Sequence, residues 1–200
     1  MRQSQLSLLP AGKFVALVPE LRRHLALVAE SITAQNFASI LDESMRRLIA
    51  VTFDQISASE GSIWLHDNSD SSLVIALNTG PNAEKLVGHF RQPLSAGIVS
   101  MVFSSEQSFV ENEVYKNSQQ DKSLDSMLNL RTESMIATPF YFLAECRGVI
   151  TGVQLQASDT TEQALFSGFS QRDLAAVRHL AALLGRLVDD AVLRAVVGLR

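Results

Sequence analysis

The C-terminal segment carries two apolar stripes on a single helix, and no other feature limits the fold of this chain so strongly. Leu174, Val177, Ala181, Leu184, Val188, Ala191 and Ala195 recur at spacings of 3, 4, 3, 4, 3 and 4. That is the seam of a helix that packs on another element. Ala176, Leu180, Leu183 and Leu187 make a second stripe beside it. A helix with two apolar stripes has two surfaces to cover, so one is assigned to the chain's own sheet and one to a partner. Its start is well marked. Ser170 can cap, Asp173 stands in for the Glu of a capping box, and Phe169 and Leu174 occupy the staple positions. A similar stripe lies near the other end, where Phe14, Val18, Leu21, Leu25, Val28 and Ile32 recur at spacings of 4, 3, 4, 3 and 4. Pro19 is tolerated in a first turn, so this helix should begin near it. Residues 1–35 read as an N-terminal helical extension.

Between the stripes the hydrophobic period changes. Phe37, Ile40, Leu41, Met45, Leu48, Thr52 and Ile56 share one helical face. Residues 62–66 and 73–77 are β-rich and flank a polar turn cluster, which predicts a hairpin. Residues 90–94 and 108–110 are candidate short strands, and 98–103 a helix of about two turns. Residues 111–129 are polar and mixed, and 159–168 form a mostly polar loop. Residues 134–142 and 148–156 predict a second hairpin.

Composition narrows the function classes. A net charge of −4 disfavours nucleic acid as a direct partner. One cysteine leaves no internal disulfide and no cysteine-rich metal site. The apolar runs are too short to span a membrane. The N-terminus lacks the apolar core of a signal peptide. The expectation is a soluble cytoplasmic protein.

Several segments together resemble one family, the GAF domain. Ala58-Ser59-Glu60-Gly61-Ser62-Ile63-Trp64-Leu65 looks like its entry into the first strand. Pro93-Leu94-Ser95-Ala96-Gly97-Ile98-Val99 is similar to its strand-to-helix turn. Leu130 to Phe140, ending in Pro139-Phe140, resembles its later strand, and Gly148 to Leu155 the strand after it. Phe169-Ser170-Gln171-Arg172-Asp173 opens the last helix as the family does. The match covers about residues 36–196. It implies an α+β fold with a central antiparallel sheet of about six strands. Terminal helices would lie on one face, and a variable loop and helix roof would cover a pocket on the other. Fold does not fix the ligand.

The chemistry-bearing residues point away from catalysis. The family's cyclic-nucleotide binders carry Asn-Lys where this chain has Ser158 and Asp159; Phe169 and Asp173 match, but helix capping explains them. Relatives that reduce methionine sulfoxide use several cysteines, whereas Cys146 stands alone at the predicted tip of the second hairpin. His24, His66, His89 and His179 form no metal-ligand cluster; some relatives bind haem through a single His, but His89 near a strand start reads as a surface or structural residue. Asp121 with Asp125, and Asp189 with Asp190, read as solvated helix faces.

For a ligand, the turn at Ser95, Gly97 and Ile98 offers free N–H groups to an anion or carbonyl, or Ser95 simply caps the helix. Arg131, Thr132 and Glu133 precede a strand beside the presumed pocket, and Thr138 is a further candidate on it. Arg131 could hold a carboxylate or phosphate, or bridge to Asp121 or Asp125, and the bridge is favoured. The reading is a non-catalytic sensory domain that binds an unidentified small molecule. It signals through a homodimer built on Leu21, Leu25, Val28, Val177, Ala181, Leu184, Val188 and Ala191. No cofactor is identified. The alternative is a ligand-free dimerisation or docking module, favoured if Phe103, Met127 and Met135 fill the pocket.

Overall fold

The computed structural model describes residues 12–157 and 167–199. Helices α1 (Gly12–Val15), α2 (Val18–Ser31) and α3 (Glu43–Gln55) precede strands β1 (Glu60–Asp67) and β2 (Ser72–Asn78). Then come α4 (Ala83–Leu86), β3 (Arg91–Pro93), α5 (Ile98–Ser105), β4 (Phe109–Glu111) and α6 (Ser123–Leu128). β5 (Leu130–Phe142), β6 (Glu145–Ala157) and α7 (Gln171–Val197) complete the order. The six strands form one antiparallel sheet in the order β3-β2-β1-β6-β5-β4. Among the described residues, no helix is long and apolar enough to cross a membrane.

Both faces of the sheet are covered, which is why its central strands read as nearly continuous apolar runs. Successive side chains alternate between two cores. Ile63, Leu65, Ile136, Phe140 and Ile150 pack with α3 and α7 on one face. Trp64, Leu73, Ile75, Ala137 and Val149 pack on the other, under α4, α5 and the segment that contains α6. Terminal helices on one face and a roof on the other is the expected α+β arrangement.

Local signals explain most boundaries. Pro19 lies in the first turn of α2. The face from Phe37 to Ile56 is divided, because the Asp42 side chain accepts from the Met45 N–H and caps α3 separately, leaving one short 3-10 turn at Phe37–Ser39. The capping box of α7 is present, with Ser170 and Asp173 each bonding the other's backbone N–H. Gly185 lets α7 approach β5 closely: a Cβ there would lie 2.1 Å from the Tyr141 carbonyl oxygen. Asp189 is not a solvated acid. Its Oδ1 accepts the Leu143 N–H at 2.5 Å and ties α7 to the β5–β6 turn, while Asp190 pairs with Arg194.

The helix stripe assigned to a partner needs correction. Val177, Ala181, Leu184 and Val188 are buried in the single chain's own core, against α3 and the sheet. Their surface is already covered, so they form no seam with a second copy. Leu25, Val28 and Ala191 are half-buried against the same core, and Leu21 is half-buried on α2. The surface left open on α7 runs instead through Leu183, Leu193 and Val197.

The β5–β6 turn carries strain. Leu143 and Ala144 both adopt positive φ, 51° and 66°, between the paired residues Phe142 and Glu145. Two-residue hairpin turns of this hand favour Asn-Gly, because a Cβ penalises left-handed backbone. Ala144→Gly is therefore expected to stabilise the fold by about 1 kcal/mol, read from urea unfolding. A loss of stability would show that the turn is held by its side chains instead.

Candidate ligand-binding site

A cavity of about 50 Å³ lies between the sheet and the roof. A water needs roughly 10–15 Å³ of such space, so it holds a small head group or a few waters. β1 contributes Glu60, Ser62 and Trp64, all on the roof side of its pleat. β6 contributes Thr151, Val153 and Leu155, and β5 contributes Leu130, Thr132 and Met135. Gln92 from β3, Ile98 and Val99 from α5, and Gln120 to Leu128 from the roof close the remaining sides.

The polar lining is held by a hydrogen-bond network. Trp64 Nε1 donates to Thr151 Oγ1 at 3.1 Å, and Asn78 Nδ2 to Ser62 Oγ at 3.0 Å. Gln92 Nε2 donates to the Ala96 carbonyl and to Ser100 Oγ, each at 3.0 Å. Asp125 fixes the roof to β5: it accepts from Thr132 N at 2.8 Å, Thr132 Oγ1 at 2.7 Å and Gln120 Nε2 at 2.9 Å. Gln120 Oε1 is out of solvent and has no partner. Glu60 is only 6 % exposed. Burial pushes its carboxyl above the ordinary value, and the neighbouring Asn78 amide opposes this.

A raised carboxyl has a fixed sign in stability. Its contribution is fully present below the unfolded-state value and is lost as pH rises through the folded-state value. Glu60→Gln is therefore expected to raise the melting temperature more at pH 8 than at pH 4. Equal shifts at the two pH values would contradict a buried, ionising Glu60.

The structure does not gather the six expected ligand residues. Ile98 lines the cavity. Ser95 is exposed and caps nothing; Gly97 is the N-cap of α5 and has no side-chain cap. The space beside Gly97 is filled, since a Cβ there would lie 2.4 Å from Gln92 Nε2. Arg131 bridges internally, as favoured, but to Glu133 and Gln156 rather than to Asp121 or Asp125, and it lies over the Tyr115 ring. Thr138 bonds Ser108 Oγ at 2.7 Å and lines a separate open cleft of about 570 Å³ beside α7.

Glu60, Gln92, Gln120 and Thr151 were missed as site residues, while Thr132, placed beside the pocket from the sequence, does line it. For those on strands the available signal was polar residues at alternate positions of segments that otherwise read as buried on both faces; Gln120 lies in the roof loop and carried no such signal. Of the three residues that would fill the pocket, Met135 does line it; Phe103 packs near His66, and Met127 is exposed. Cys146 is not at the hairpin tip but in β6, paired with Tyr141; it is half-buried, and burial pushes its thiol up, which disfavours the reactive thiolate. His89 is exposed. Ser158 and Asp159 lie outside the described residues.

No family model matches the sequence, and no curated protein matches it. Solved structures do. The GAF domain of an Acinetobacter phosphoenolpyruvate-protein phosphotransferase is 19 % identical, covers 92 % of this chain and 97 % of its own, and superposes with a TM-score of 0.58. The corresponding GAF domain from Coxiella burnetii is 14 % identical over the same shares, 92 % and 97 %, with a TM-score of 0.60. The free methionine-R-sulfoxide reductase of Neisseria meningitidis, solved with its substrate, is 18 % identical, covers 96 % and 99 %, and has a TM-score of 0.56. The architecture is thus shared by the GAF domains of two phosphotransferases and by a reductase. With its six-stranded antiparallel sheet between terminal helices and a roof, the chain has the GAF fold.

Proposed function

We propose that this chain is a non-catalytic sensory or regulatory module. It binds a small molecule in the cavity between sheet and roof, and passes the bound state on through α2 and α7 in a cytoplasmic homodimer. Residues 36–196 form the sensing unit, with 1–35 as an N-terminal extension that carries α2. The observation that carries this reading is the polar lining. A layer serving only to pack would hold apolar side chains, yet Glu60, Gln92, Thr132 and Thr151 are all buried around one cavity. The roof can respond, because α6 buries none of its residues completely and its polar tie to β5 runs through Asp125. Cys146 has no second cysteine to resolve it, which argues against thiol-exchange catalysis.

The docking-module reading is favoured by one observation. Leu124, Leu128 and Met135 crowd the cavity to about 50 Å³.

The dimer is supported by apolar surface left open on the terminal helices. Leu183 is 40 % exposed and Leu193 38 %, with Leu27 and Val197 also exposed. Such patches are commonly covered by a second copy. Native mass spectrometry of freshly purified protein reads both claims. The expected result is a dimer that carries a small molecule released on denaturation. Leu183→Glu with Leu193→Glu should give a monomer of unchanged helicity. A bare monomer at tens of micromolar, in the unmodified protein, would contradict the reading.

A further inference from the structure

We propose that the cavity takes a primary amine, with its ammonium group held by Glu60 and Gln120 and a short aliphatic chain on the apolar wall. This rests on the reading of the cavity as a ligand site and adds the ligand's class. The argument is a count of donors and acceptors. Each side-chain nitrogen of the lining already donates: Trp64 to Thr151, Gln92 to Ala96 and Ser100, Gln120 to Asp125. Two acceptors keep free capacity. Gln120 Oε1 is fully out of solvent without a partner. Glu60 is 6 % exposed, and among the described residues it forms no ion pair; its carboxyl takes a hydrogen bond from the Asn78 amide, and Oε2 lies against the Gly80 backbone.

Asp121 and Asp125 add two more carboxylates to the lining, and no Lys, Arg or His belongs to it. An ammonium group brings three donors and a positive charge, which answers both the unfilled acceptors and the charge. A carboxylate or phosphate would face Glu60, Asp121 and Asp125 in a low-dielectric space and be repelled. This reverses the expectation of an anion at the turn before α5. Leu128, Met135 and Leu155 supply the wall for the alkyl chain. Gln120, Asp125 and Leu130 also line an open surface groove of about 460 Å³, so only the roof wall separates the cavity from solvent.

Trp64 is the only tryptophan and lines the cavity, so its emission reports occupancy. The probes are propylammonium chloride, sodium propionate and propanol, which share a chain length and differ in head group. Propylammonium is expected to change Trp64 emission saturably in the millimolar range, as suits so small a ligand. Propionate and propanol should leave it unchanged. Glu60→Gln, which keeps the side chain's size and stays folded by circular dichroism, should raise the propylammonium Kd roughly tenfold or more. Asp121→Asn should raise it by a smaller factor. A saturable response to propionate or propanol but not to propylammonium would overturn the amine class and leave the cavity reading standing. An unchanged Kd in Glu60→Gln would also overturn the proposal. No response to any of the three probes would overturn both.

Discussion

Phe140→Ala is expected to destabilise the chain by about 3–5 kcal/mol, the range for deleting a fully buried aromatic ring. For a chain of this size that lowers the melting temperature by about 10–15 °C. Phe140 is completely buried on the helix side of β5. Its ring meets Phe37 edge-on at 6.0 Å and lies 5.3 Å from Phe142. These three rings join the segment before α3 to the sheet beneath α7, so a cavity there loosens both terminal helices at once. Differential scanning calorimetry checks it. A fall of less than about 1 kcal/mol would mean that the helix layer closes over the gap, contrary to the packing described.

Gly148→Val is expected to cost about 3 kcal/mol or more, or to abolish folding. Gly148 sits in β6 opposite Leu65 of β1. A Cβ at Gly148 would lie 1.8 Å from the Trp64 carbonyl oxygen and 3.2 Å from the Leu65 Cα. The obstacle is backbone, so no rotamer change relieves it; the β1–β6 ladder must separate. Trp64 lies in that ladder and in the cavity wall. A folded Gly148→Val protein should therefore show altered Trp64 emission together with low stability. Wild-type emission with an unchanged midpoint in urea would contradict the close strand approach.

The fold was legible in the sequence where hydrophobic periodicity runs long. The α7 stripe, the two hairpins and the Ser170–Asp173 cap all lie where residue spacing alone predicts them. The division at Asp42 was not legible, because Phe37 to Ile56 keeps one helical face across the break, and only the cap reveals it. The α7 seam was misassigned for a related reason. Periodicity shows that Val177, Leu184 and Val188 are covered, but not whether the cover is the chain's own sheet or a second copy.

The site was less legible than the fold. Its residues come from β1, β3, β5, β6, α5 and the roof, and they converge only through strand order. Local reasoning at the α5 turn could not show that Gln92, from β3, fills the space beside Gly97. Asp125 read as a solvated acid on a polar segment, whereas Thr132 and Gln120 engage both of its oxygens.

The central claim is that a small molecule binds between sheet and roof and that the roof answers to it. Trp64 emission and melting temperature, recorded together across a panel of small amines, acids and neutral metabolites, test it most directly. The account predicts that the compounds which raise the melting temperature also change Trp64 emission, with matching concentration dependence. Compounds that stabilise the protein while Trp64 emission stays fixed would place binding elsewhere and contradict the account.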